Sequence, residues 1–339
     1  MPDQTAADET GPQESGTARP WGAVFQTFRG RPEAGALFAT LFIAVLFSFW
    51  ADNFLSVDSF ASTMNIAAEL GIVAMAVTLL MISGEFDLSV GSVLGISSLL
   101  VPYLYEEWNL FAGSAVLIAF LAAAGAGVIN GTIVIRTRIP SFIVTLGMLL
   151  FWRGALFVVT QGFPISVPEQ ERVFDLFSAR VAGLSVSTLW FLAILLVFSF
   201  VLQKTKAGNW IFAAGGNESA AREMGVPVDR VRLGLFVTTA LAAALAGVIQ
   251  VGRFSSVDAN RGEGLELEAI AAAVIGGSRL SGGYGSVVGT ALGCLMIGMI
   301  RNGLALAGVA SYWYEGIIGL LIIVAVVVNR FAGGREARE

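Results

Sequence analysis

The chain has 339 residues, 56% of them hydrophobic and only 13% charged, with a mean hydropathy of +0.77 and a formal net charge of −5. A water-soluble protein of this length cannot cover its surface with so few charges, so a soluble globular domain is excluded. Apolar runs instead recur near the roughly 20 residues that a helix needs to cross hydrocarbon, which predicts an all-α polytopic membrane protein rather than a β-barrel of short alternating segments.

Residues 1–33 are polar, rich in Gly, Ser, Thr, Asp, Glu and Pro, and read as a disordered cytosolic tail without a cleavable signal. A transmembrane domain follows over 34–329, and 330–339 is a short cytosolic tail. Ten spans are predicted, at about 34–51, 65–83, 89–105, 110–135, 141–160, 184–202, 233–252, 269–277, 285–300 and 312–328. The eighth is short, so it either continues upstream or forms a broken helix. Glu69 falls near one end of the second span, where a boundary or hydrogen-bonding role is expected. The stretch GEFDLS separates the second and third spans, and LSVGSVLG (88–95) has an echo in Leu280-Ser281 followed by GSVVG (285–289). That echo predicts internally related halves, a common transporter design.

One polar stretch, 204–232, interrupts the apolar pattern. Asn217 is placed to cap a helix, Glu218 opens its first turn, and Gly225 followed by Pro227 ends it. A helix of about two turns does not hold by itself in water, so it needs a surface to dock on. Glu218 and Arg222 support it at i,i+4, and Ala220 with Met224 gives it a small apolar face.

Orientation follows from the basic residues. With the N-terminus inside, fourteen of the twenty Lys and Arg fall on the face that carries 204–232. The opposite face is acidic, with Asp52, Asp58, Glu106, Glu107, Asp258, Glu263, Glu266 and Glu268. Both termini and the Asn217 helix are therefore expected in the cytosol.

The chain carries no chemistry of its own. It has no histidine, which removes histidine acid–base catalysis and histidine metal sites, and its one cysteine, Cys294, lies in an apolar run. The only lysines, Lys204 and Lys206, end no phosphate-binding loop of the G-x-x-x-x-G-K-[ST] type. No catalytic triad or Cys/His metal cluster is present. Such a chain is either passive or driven by a partner, unless buried ionisable groups couple it to an ion gradient.

Four segments in order carry a family resemblance: GEFDLSVGSVLG (84–95), PSFIVTLGMLLFWRG (140–154), GGNESAAREMGVPVDRVR (215–232) and LEAIAAAVIGGSRLSGGYGSVVGT (267–290), the last continued by MIRNGLALAGVASYW (299–313). Over roughly residues 35–330 the chain resembles the permease subunit of sugar ABC importers, the group of the ribose, galactose and xylose permeases. The resemblance implies the ABC importer permease fold in a bacterial plasma (inner) membrane. It also implies a second permease copy, two cytosolic ATP-binding subunits that hold ATP and Mg, and an external sugar-binding protein, with no cofactor in this chain and no nucleic-acid partner. The coupling helix of such importers corresponds to Asn217, Glu218, Ala220, Ala221, Arg222, Met224 and Gly225. The chain departs from the family at Glu85 and Phe86, where Gly and Ile are commoner before Asp-Leu-Ser, which bears on any sugar preference of that segment.

Candidate pathway residues are Glu85, Asp87, Ser89, Trp152, Arg153, Gln161 and Asn302. For each polar one the competing reading is a helix–helix hydrogen bond, and for Trp152 an interfacial anchor. The acidic loop 253–268 is expected to meet the binding protein or simply to be solvated. A permease for a nucleoside or a branched-chain amino acid, and an ion-coupled symporter, stay open as alternatives.

Overall fold

The computed structural model describes residues 32–166, 174–181, 184–310 and 312–336. The tail 1–31, Arg172 and Arg338 lie outside them. A helix stands at each of the ten predicted positions: α1 (Pro32–Trp50), α2 (Val57–Ile82), α3 (Val90–Glu107), α4 (Ala112–Thr137), α5 (Ser141–Thr160), α7 (Val186–Lys204), α10 (Val228–Phe254), α11 (Leu265–Ile275), α12 (Val287–Leu306) and α13 (Tyr312–Glu336). Among the described residues there are three shorter helices as well, α6 (Asp175–Ser178), α8 (Lys206–Gly216) and α9 (Glu218–Glu223). Among the described residues, seven helices are long and apolar enough to cross a membrane: α1, α2, α4, α5, α7, α10 and α12.

Four differences from the sequence reading matter. The α2 helix begins at Val57, capped by Ser56, whose hydroxyl accepts from the Ser59 amide. Glu69 is therefore midway along the helix rather than near its end. The eighth segment starts upstream at Leu265 and still has only 11 residues, about 16 Å of rise against a hydrocarbon layer of about 30 Å. The polar stretch holds a second helix, α8, which Thr205 caps by accepting from the Gly208 amide. Two short antiparallel ladders also break the all-α description, β1 (Ile165–Ser166) with β4 (Ser256–Val257) and β2 (Arg180–Val181) with β3 (Leu184–Ser185).

The bundle is built around α2 and α10, whose most apolar windows are 89% and 72% buried. Both are rich in Ala, as in Ala242, Ala243, Ala244 and Ala246, and such small side chains let membrane helices approach closely. By contrast α1 and α5 are each 17% buried and present large apolar residues outward, including Phe42, Phe49, Leu150 and Phe151. That is the pattern of helices facing lipid.

Cross-helix contacts fix the two ends. The Ser286 hydroxyl donates to Glu33 Oε1 at 2.6 Å, and the Gly283 amide donates to the Ile82 carbonyl at 2.9 Å. The starts of α1 and α12 thus lie beside the end of α2, at the end of the bundle that also holds α9. The starts of α2 and α11 and the ends of α10 and α12 lie at the far end.

Candidate functional site

Local chemistry explains why α9 forms where it does. Asn217 has extended backbone and its side-chain oxygen accepts from the Ala220 amide at 3.1 Å and from the Ser219 hydroxyl at 2.8 Å. At the other end Gly225 takes φ +81°, and the Val226 amide returns to the Ala221 carbonyl at 2.9 Å. Between these caps six residues make less than two turns. Ala221 is the residue that α9 buries within its own chain, against Ala214 of α8 and Val228 of α10. Ala220 is exposed and Met224 is 84% exposed. The predicted apolar face of Ala220 and Met224 thus points away from the chain, while Ala221 serves its internal packing.

Ion pairs tie α9 to the break between α2 and α3. Arg222 pairs with Glu218 at 2.9 Å and with Asp229. Glu218 also pairs with Arg232 at 2.8 Å, and Arg232 reaches Glu85 at 3.1 Å and the Ser83 carbonyl at 3.4 Å. The pairs around Arg222 are solvated and worth about 0–1 kcal/mol each. Arg232 and Glu85 are 14% and 12% exposed, so their contact is mostly sheltered. Burial acts to raise the Glu218 carboxyl, but the hydrogen bonds and charges of Arg222 and Arg232 outweigh it and leave the group below its ordinary range.

The same break is locked by backbone. Gly84 has φ +89°, a conformation that favours glycine, and its backbone lies against Gly215 of α8 and Gly282 of the α11–α12 connection. Three chain breaks therefore meet at one point beneath α9.

Four of the candidate pathway residues, Asp87, Ser89, Arg153 and Asn302, make hydrogen bonds within the chain. Asp87, 1% exposed, accepts from the Ser89 amide and hydroxyl and from the Thr239 hydroxyl of α10 at 2.7–3.0 Å. Ser89 in turn accepts from Asn130 of α4 at 2.8 Å. Arg153 donates to the carbonyls of Ala259 and Arg261, and Asn302 donates to Ser59 and Thr63 of α2. Gln161 is exposed with φ +50° at the end of α5, and Trp152 is half-buried against the core. The structure does not gather all seven in one place, and Asp87, Ser89 and Asn302 bond between neighbouring elements.

Comparison with known proteins gives the lineage. A family model described as "Branched-chain amino acid transport system / permease component" matches residues 59–326. A probable ABC transporter permease protein, YphD of Escherichia coli K12, is 37% identical, covering 90% of this chain and 92% of that protein. The ribose import permease RbsC of the same organism is 36% identical, over 88% and 93%. The xylose/arabinose import permease XylH of Sulfolobus acidocaldarius is 34% identical, over 86% and 82%. No solved structure matches. The chain belongs to this permease family. It is a multi-pass membrane protein and a transport subunit rather than an enzyme.

Within this permease, Glu85 has a local ionic partner. Its carboxylate neutralises Arg232 at the α2–α3 break, a contact that needs no solute. Sequence reasoning missed a different feature, a cavity of about 450 Å³ at the far end, walled by α2, α10, α11, α12 and the loop 258–265. There Glu69 pairs with Arg253 at 2.6 Å and accepts from Gln250 at 3.1 Å. The one available signal was a carboxylate inside an apolar run, which the span boundaries had moved to a helix end.

Proposed function

We propose that this permease is the membrane subunit of an ATP-driven importer for a monosaccharide or related sugar. The observation that carries the reading is near-full-length similarity, at 34–36% identity, to relatives named for ribose and for xylose/arabinose import. The exposed Ala220–Met224 face supports it, because a small apolar patch on a capped helix suits a partner that pushes. In this reading the chain crosses the membrane ten times in two related halves, with α9 and both termini in the cytosol. Two copies form the pathway. Separate subunits bind ATP and Mg, and an external protein delivers the solute.

The test is uptake of radiolabelled D-ribose and D-xylose by cells carrying the complete transporter, compared with cells lacking only this chain. Uptake that disappears with the chain supports the reading; equal uptake in both rejects it. A second reading comes from the family's printed description, which names branched-chain amino acids. Labelled L-leucine in the same assay separates the two.

A further inference from the structure

The break between α2 and α3 is a strut held between two helices. Residues 85–87 are neither helix nor strand, and their contacts alternate. The side chains of Glu85 and Asp87 turn to α10, where Arg232 pairs with the first at 3.1 Å and the Thr239 hydroxyl donates to the second at 2.8 Å. The amides of Phe86 and Leu88 turn to α5, donating to the Ser141 and Thr145 hydroxyls at 3.0 Å each. Arg232 and Thr239 lie two turns apart and Ser141 and Thr145 one, so each pair shares a face of its helix. Ser89 continues the line by accepting from Asn130 of α4 at 2.8 Å.

The strut is tied to α9 as well. The Asn217 amide returns to the Ala213 carbonyl at 3.1 Å and Ala221 packs on Ala214, which joins α9 to α8. The end of α8 leaves no room for a side chain: a methyl group on Gly215 would overlap the Ile82 carbonyl oxygen, and one on Gly283 would meet Gly216. Backbones packed this closely yield little and pass displacement on. Arg232 adds a polar crossing, with Glu218 of α9 on one side and Glu85 and the Ser83 carbonyl on the other.

We propose that Arg232 is a positioning residue for transport: it ties α9 to the strut 83–89, which delivers a displacement of α9 to α5 through Ser141 and Thr145 and to α4 through Asn130. Coupling between distant sites is carried by contiguous packed and hydrogen-bonded elements, and these contacts form such a line. The inference rests on the ATP-driven reading above and adds the route by which a push on the Ala220–Met224 face leaves α9.

The test measures ATP hydrolysed per pentose accumulated by the complete transporter in liposomes. Arg232→Ala should raise that ratio about fivefold or more while ATP hydrolysis continues, and Arg232→Lys, which keeps the charge, should stay within about twofold of wild type. The double change Glu85→Gln with Arg232→Met leaves no stranded carboxylate and no ionic tie, so its ratio should stay raised even as stability recovers. Thr145→Val removes the acceptor of the Leu88 amide and should raise the ratio too, whereas Thr238→Val on the exposed side of α10 should not. A wild-type ratio in either Arg232→Ala or Thr145→Val, or a ratio that returns with stability in the double change, overturns the inference and leaves the importer reading intact. If the transporter accumulates L-leucine and neither pentose, the sugar reading falls, and the same ratio taken on leucine still judges Arg232. A wild-type transporter that accumulates no solute on ATP overturns the importer reading and the inference together.

Discussion

Ala221 and Met224 are three residues apart on one short helix, yet one is enclosed by Ala214 and Val228 and the other stands in the open. Their substitutions should therefore fail in different ways. Ala221→Asp places a carboxylate without a partner in the α8–α9–α10 contact and should cost about 2–3 kcal/mol, seen as a lower unfolding midpoint in detergent. Met224→Asp should leave that midpoint within about 0.5 kcal/mol of wild type and still uncouple uptake from ATP hydrolysis. The reverse pattern would mean that α9 docks by its other face. Arg232 offers a second residue-scale test. Removing it alone as Arg232→Ala strands Glu85 and should cost about 1–3 kcal/mol. The double change Glu85→Gln with Arg232→Met should recover at least half of that loss; additive losses would show that the pair is not coupled.

Among elements, the break between α2 and α3 shows how far sequence carries and where it stops. Asn217 and Gly225 are readable as helix caps, because each rests on the geometry of a single residue. The contact of Gly84 with Gly215 and Gly282 joins positions far apart in the chain, and no local pattern encodes it. For the same reason α8 went unread, since its apolar run is too short for a span and its cap, Thr205, sits at the end of α7. The packing role of Ala221 was hidden too, because it depends on how Asn217 folds α9 back toward α8. A glycine pair tests the element. Gly84→Ala must enter a left-handed conformation and should lower stability by about 1–2 kcal/mol. Gly125→Ala on α4, with nothing within 4 Å of the added methyl, should be neutral or gain up to about 1 kcal/mol in the same thermal unfolding measurement. Equal effects would remove the special status of the break.

At the scale of the molecule, the two ends divide the work. The α9 end gathers an exposed apolar patch, a run of ion pairs and three glycine-hinged breaks. The far end holds a polar cavity that descends to Glu69. That cavity was the least legible part of the site, since Glu69 and Gln250, which share a hydrogen bond, are 181 residues apart. In the proposed reading the energy source is a separate motor, and the exposed Ala220–Met224 face of α9 is where it would act. Solute accumulation by purified permease in liposomes, alone and then with its ATP-binding subunits, ATP and binding protein, is the most direct measurement. Accumulation of pentose only in the complete, ATP-supplied system is the predicted result. Concentration of any solute by the isolated chain, on an ion gradient alone, would contradict the account.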